Sequence, residues 1–215
     1  MALPVLLLLG SAYLLGAIPF SLLIAKVRGV DLRQHGSGNA GATNALRVMG
    51  KGPGLLVFAL DFFKGLVATV VLPAAILGVD AADWTMVAAG SAAMLGHVFT
   101  VWGALFFGGW KGGKGVATGA GMLTGLVPIA VLAGLAVFIM TVATTRLVSL
   151  GSILAATTIP VALGIQALVA PSTAPDGNAI WIFALAVPLF IVWTHRSNVR
   201  RLLDGTEARV SGPSS

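Results

Sequence analysis

Hydrophobic residues in this chain come in long blocks separated by short polar stretches. The blocks cover 2–27, 53–79, 84–107, 115–146, 147–170 and 178–194. A helix crosses the hydrocarbon core of a bilayer in ~20 apolar residues. The fourth block is too long for one crossing and contains Gly119, Gly121, Gly125 and Pro128. It is expected to break near Val127 and Pro128, giving a short glycine-rich helix followed by a full-length one. The first block is longer than the apolar core of a signal peptide, and its basic residues, Lys26 and Arg28, lie at its far end. It reads as a permanent first helix with its N-terminus outside.

Composition agrees with the blocks. The chain is 57% hydrophobic and 9% charged over 215 residues, with mean hydropathy +0.98. Soluble domains carry about 25% charged residues, so the pattern is that of an all-α integral membrane protein. There is no cysteine, which excludes disulfides and thiolate chemistry. The histidines, at 35, 97 and 195, are too dispersed for a metal motif, and no metal or cofactor is expected. The net charge of +6 raises nucleic acid as a partner. The basic residues instead flank apolar spans, which fits anionic lipid and phosphorylated substrate, with no nucleic-acid partner.

Charge placement orients the spans. Arg28, Arg33, Arg47 and Lys51 lie in loop 28–52, Lys111 and Lys114 in loop 108–115, Arg146 at a later turn, and Arg196, Arg200, Arg201 and Arg209 in the tail. The other connections hold only Asp80, Asp83 and Asp176. Counting the fourth block as two passes places every loop lysine and arginine on one side, as the positive-inside tendency requires. The expectation is therefore about seven transmembrane helices, one short and glycine-rich, N-terminus outside and C-terminus cytoplasmic. Five or six crossings, with the short piece re-entrant, is the alternative. Residues 1–215 read as one membrane-embedded domain, with 210–215 a flexible tail.

Chemistry concentrates in the polar stretches. Loop 28–52 contains Gly36, Ser37, Gly38, Asn39, Gly41, Thr43 and Asn44, then Arg47. The glycine spacing mimics a dinucleotide fingerprint, but a membrane helix precedes it where a strand is required. Small hydroxyl and amide residues can hydrogen-bond phosphate or glycerol oxygens, and Arg47 can grip a phosphate. The bland reading is a polar turn with Ser37 or Asn39 capping a helix. Loop 108–115 contains Gly108, Gly109, Lys111, Gly112, Gly113, Lys114 and Gly115. Gly115 replaces the Ser or Thr of a nucleotide-binding P-loop. What remains is a phosphate cradle of glycine amides and lysine charge, with the short helix aiming its N-terminus at the ligand. A topogenic loop that binds lipid headgroups is the alternative.

His97 is expected deep in the third span, ~15 Å from an end near Phe107 by helical rise. It is either functional or bonded to a neighbouring helix. Asp61 and Lys64, three apart on the second span, are expected to neutralise each other. Two further clusters hold Arg146, Ser149 and Ser152, and His195 with Asn198, the last two sharing a helix face.

These clusters, in this order, resemble the bacterial acyl-phosphate:glycerol-3-phosphate acyltransferases, the PlsY family. The matching stretches are 36–44 with Arg47, 61–65, 96–99, 111–118, 146–152 and 195–198, with Glu207 further on. The resemblance covers essentially the whole chain. Thr100 stands where the family pattern has proline, and the stretch from His97 to Lys111 is longer, so the sequence does not fix where His97 lies against the lysines.

The resemblance implies acyl transfer from acyl phosphate to the 1-hydroxyl of glycerol 3-phosphate, giving lysophosphatidic acid and phosphate. The implied location is the bacterial inner membrane, with the active site facing the cytoplasm. No Ser-His-Asp triad or cysteine is evident, which disfavours an acyl-enzyme. An acyl phosphate is already activated, so positioning and charge stabilisation can supply most of the catalysis. The expected catalytic residues are Ser37, His97, Lys111 and Lys114. The expected substrate-binding residues are Gly36, Gly38, Asn39, Thr43, Asn44, Arg47, Gly112, Gly113, Thr118, Arg146, Ser149, Ser152, His195 and Asn198. The proton leaving the hydroxyl goes either to a substrate phosphate or to His97. Membrane lipids are the other partners, and no obligatory protein partner is evident. The competing class is a transporter or exchanger of organic phosphates, which would need access from both membrane faces. A CDP-alcohol phosphotransferase would need several closely spaced aspartates, and none of the histidines has an aspartate five positions on, as soluble-type glycerolipid acyltransferases require.

Overall fold

The computed structural model describes residues 2–78 and 81–210. Its contacts divide the chain into two compact units, 1–125 and 126–215.

The first unit begins with α1 (Ala2–Gly16) and α2 (Phe20–Val27), so the first apolar block is a broken helix. Pro19, which has no N–H, sits at the break. In an apolar medium the carbonyls freed there need donors. They receive them from far along the chain: Trp102 Nε1 donates to Leu14 O at 3.0 Å, Thr100 Oγ1 to Ala17 O at 2.5 Å, and Lys64 Nζ to Ile18 O at 2.9 Å. After α3 (Ala42–Met49), the second block runs as α4 (Lys51–Leu66), a π-helical turn (Val67–Val71) and α5 (Leu72–Leu77). Pro73 would clash with the carbonyl four residues back in a regular helix, and the wider turn just before it relieves that clash.

The third block departs from expectation. Its helix, α6 (Asp83–Val98), stops nine residues before Phe107, and a separate α7 (Val101–Phe107) follows. Thr100 causes the break: it is extended and its hydroxyl accepts from Gly103 N at 2.9 Å, capping α7. The short helix α8 (Val116–Leu126) closes the unit. Close approach through glycine holds these helices together, as in other membrane bundles. A Cβ on Gly16 would strike the Ala93 backbone, one on Gly96 the Tyr13 carbonyl, one on Gly65 the Thr118 carbonyl and one on Gly121 the Phe62 carbonyl.

The second unit is an antiparallel pair, α9 (Pro128–Thr145) and α10 (Val148–Val169), followed by α11 (Asn178–Thr194) and α12 (Arg196–Leu203). The break between α8 and α9 falls at Val127–Pro128, as expected. Arg146 turns the chain between α9 and α10 in a left-handed conformation, φ 59°. Helices α11 and α12 meet at His195 with a 63° bend. Of the stretch expected as a tail, Val210 N donates to Arg146 O at 2.9 Å, and 211–215 lie outside the described residues.

Among the described residues, four helical segments are long and apolar enough to cross a membrane: 2–27, 51–77, 128–145 and 148–169. A fifth is reached if α11 and α12 count as one bent span. Helices α6 and α8, with 16 and 11 residues, fall short of the ~20 a lone crossing needs. Large apolar side chains such as Leu6, Ile139, Val161 and Leu189 point outward, the arrangement of a protein solvated by lipid.

Candidate active site

The first glycine loop is built around Asn44. This side chain is 1% exposed and its amide is fully used. Nδ2 donates to Leu32 O and His35 O at 3.1 and 3.0 Å, and Oδ1 accepts from Ser37 N at 2.9 Å. Gly36, at φ 63°, leaves the space Asn44 occupies. Asn44 therefore shapes the loop from within, and Ser37 is exposed at its outer edge. Neither Ser37 nor Asn39 caps a helix, contrary to the bland reading, because α3 starts after Gly41 with no side-chain cap. Thr43 and Arg47, four apart, share a face of α3.

The second loop is pinned from both sides. The Arg33 guanidinium donates to Phe107 O, Gly109 O and Lys111 O at 2.9, 2.7 and 3.2 Å. On the other side, Thr100 N donates to Trp110 O and Gly112 N to Val98 O, both at 2.9 Å, around an antiparallel Phe99–Lys111 bridge. The extra length between His97 and Lys111 is thus taken up by α7, and the loop returns to the end of α6. Gly112 spends its amide on Val98, so that N–H is not among the donors left for a ligand. Lys111 is exposed, Lys114 is half-buried, and Gly115 at φ 85° feeds α8. Thr118, in the first turn of α8, is fully buried, and its hydroxyl has no hydrogen-bond partner among the described residues.

The two glycine loops touch. A Cβ on Gly41 would lie 3.7 Å from Gly113 Cα, and one on Gly113 would lie 3.1 Å from Ala40 O and against His97 Nε2. Beneath this crossing is a buried charge cluster. Lys64 Nζ lies 2.7 Å from Asp61 Oδ1, the expected pair, and His97 Nδ1 lies 3.6 Å from the same oxygen. His97 is not deep within a helix: α6 ends one residue later, so its imidazole, 6% exposed, sits directly under the lysine loop.

A second polar cluster lies within the second unit. Glu207 Oε1 accepts from Ser149 Oγ at 2.8 Å and Asn198 Nδ2 at 2.6 Å, and Oε2 pairs with Arg201 Nε at 2.7 Å. Burial pushes the Glu207 carboxyl up, but the Asn198, Arg201 and Ser149 donors outweigh it and hold it below the ordinary glutamate value. His195 is buried, its Nδ1 2.8 Å from Ile191 O, and Asn198 N donates to His195 O at 2.8 Å. Ser152 Oγ donates back to Val148 O, and the Arg146 side chain is exposed.

Each unit thus gathers its own expected residues: Gly36 to Arg47 with His97 to Thr118 in the first, and Arg146 to Ser152 with His195 and Asn198 in the second. Sequence reasoning missed Arg33, whose role depends on carbonyls more than seventy residues away. It gave Glu207 no role, although the carboxylate organises its whole cluster.

An apolar-surfaced helical protein with touching basic glycine loops defines a class, the membrane-embedded enzymes that handle phosphorylated substrates. Comparison with known proteins narrows it. Residues 6–205 match the family model described as "Glycerol-3-phosphate acyltransferase". The chain is 45% identical to a protein of that name from Synechococcus sp. (strain CC9902), over 98% of this chain and 97% of that one. It is 44% identical to another from Geobacter sulfurreducens, over 95% and 96%. Its fold is similar to the crystal structure of PlsY, an integral membrane glycerol 3-phosphate acyltransferase, in its glycerol 3-phosphate form (TM-score 0.82, 38% identity, 96% of each chain). The lysophosphatidic acid form gives a TM-score of 0.80 at 37% identity, over 96% of this chain and 95% of that one. The chain belongs to the PlsY family of integral membrane acyltransferases.

Proposed function

We propose that this enzyme transfers an acyl chain from acyl phosphate to the 1-hydroxyl of sn-glycerol 3-phosphate, the first acylation of phospholipid synthesis. The hydroxyl oxygen bonds to the acyl carbon, the carbon–oxygen bond to phosphate breaks, and the proton leaves with the phosphate. The products are 1-acyl-glycerol 3-phosphate and inorganic phosphate. The observation that carries this reading is the contact between the two glycine loops at Gly41 and Gly113, with lysine charge beside it. Two phosphorylated reactants need two anion sites close together, and these loops supply neighbouring ones.

In this reading Lys111 and Lys114 stabilise the departing phosphate. Ser37, Asn39, Thr43 and Arg47 bind glycerol 3-phosphate, while Gly36, Gly38, Asn44, Gly112 and Gly113 shape their loops. Thr118 offers its buried hydroxyl to the bound phosphate. By the resemblance, His195 and Asn198, with Ser149, Ser152 and Arg146, also bind substrate. Arg146 holds a left-handed turn at a cost of about 1–2 kcal/mol to a non-glycine residue, which fits a side chain retained for its charge. Proton transfer to phosphate, rather than to His97, is supported by the closure of Gly113 over the imidazole. Seven passes with cytoplasmic basic loops complete the proposal, with α6 and α8 crossing among other helices and the whole chain acting as one enzyme in the inner membrane.

The test is phosphate release by purified protein given palmitoyl phosphate and glycerol 3-phosphate. Turnover with that donor is expected. Activity only with acyl-CoA or acyl carrier protein rejects the donor, and exchange of glycerol 3-phosphate in vesicles without donor consumption rejects the enzyme reading.

A further inference from the structure

Asp61, Lys64 and His97 form a buried cluster, and charge in a bilayer is costly and is seldom kept without use. The cluster forms a column. Lys64 is fixed at one end by Ile18 O and by the Phe20 ring, 5.5 Å from Nζ. It neutralises Asp61, and Asp61 faces His97 Nδ1. The far edge of the imidazole, Nε2 and Cε1, bears on Gly113, and the His97 carbonyl bears on Gly112. Neither position has room for a side chain. The loop that carries Lys111 and Lys114 therefore rests on His97 as on a floor.

We propose that His97 is a positioning residue: oriented by Asp61 and Lys64, its ring sets the height of the Gly112–Gly113 backbone and so the placement of both lysines. This rests on the acyltransferase reading above and removes His97 from the proton-transfer step. A floor needs shape and a polar group facing Asp61, and a base needs a titrating nitrogen. His97→Gln supplies the first without the second, whereas His97→Ala supplies neither.

The tests begin with wild-type turnover on palmitoyl phosphate, whose absence would fail the functional reading and leave the loop question to exchange data. Turnover of His97→Ala is expected to fall by ~10²-fold through misplaced lysines. His97→Gln should recover most activity and keep the wild-type pH profile of kcat. Hydrogen–deuterium exchange over 108–115 should rise in His97→Ala and stay near wild type in His97→Gln. His97→Gln losing ~10²-fold or more, as for a lost general base, or losing a limb of the pH profile while exchange stays unchanged, would overturn the proposal. If His97→Ala does not fold, His97→Gln decides alone by those criteria. A second readout is a double-mutant cycle, in which Gly113→Ala, which drives a methyl onto the ring, should be partly compensated by His97→Ala. Strict additivity would count against the contact.

Discussion

The two polar clusters solve opposite problems. In the first unit, Asp61 and Lys64 are almost wholly buried, with side chains 4% and 2% exposed, and their partner is the buried imidazole of His97 on another helix. In the second, Glu207 is just as buried, at 3%, but Arg201 beside it is 41% exposed and the other donors are neutral. A charge pair closed off inside a bundle costs a great deal when broken, because the survivor has no water to turn to. A carboxylate at a helix end that can reopen to solvent costs far less. The first cluster is committed to the fold around the lysine loop, while the second is a clasp on segment 201–210.

The largest expected effect comes from breaking the buried pair. Asp61→Ala strands Lys64 and is expected to cost about 3–5 kcal/mol, read as loss of folded protein in detergent. If Asp61→Ala matched the thermal stability of wild type, the two clusters would not differ in kind. Next, Lys114→Ala and Lys111→Ala should lower kcat by ~10²–10³-fold with the fold retained, as when a transition-state donor is removed; wild-type turnover in both would remove the lysines from the mechanism. Arg33→Ala, which frees three carbonyls of the lysine loop, should cost about 1.5–3 kcal/mol locally and raise hydrogen exchange over 107–111.

The second unit gives the smaller numbers. Glu207→Gln should cost about 1.5–3 kcal/mol, since charged hydrogen bonds are lost while the shape stays. Its pH dependence has a definite sign. The folded carboxyl titrates below the ordinary 4.5, so the clasp's contribution is fully present above that value and fades as pH falls through the lower folded one. Hydrogen exchange over 201–210 should therefore increase below pH 4.5 in wild type and show no such step in Glu207→Gln. Ser149→Ala, removing one neutral donor, should be the mildest change, about 1 kcal/mol.

Legibility divided along the same line. Asp61 and Lys64 were readable as a pair because i and i+3 are neighbours on any helix. The break at Val127–Pro128 was readable because proline acts locally. The end of α6 was not, because Phe99 and Thr100 carry no strong breaker. They leave the helix for contacts with Ala17, Trp110 and Lys111, distant in sequence. Asn44 looked like a ligand residue by its type and became a scaffold once Leu32, His35 and Ser37 surrounded it.

By itself the sequence determined that the chain lives in a membrane, which stretches are apolar and helical, which loops are basic, and which family its motifs resemble. These follow from composition and short-range spacing, which act before any long-range contact forms. Only the tertiary structure decided that His97 stands under Gly113 instead of inside a helix, that Arg33 staples the lysine loop, and that Glu207 organises Ser149, Asn198 and Arg201. Each of those depends on which orphan donor or acceptor meets which partner after the helices pack. In a bilayer that matching is compulsory, since no water is present to satisfy what the protein leaves open.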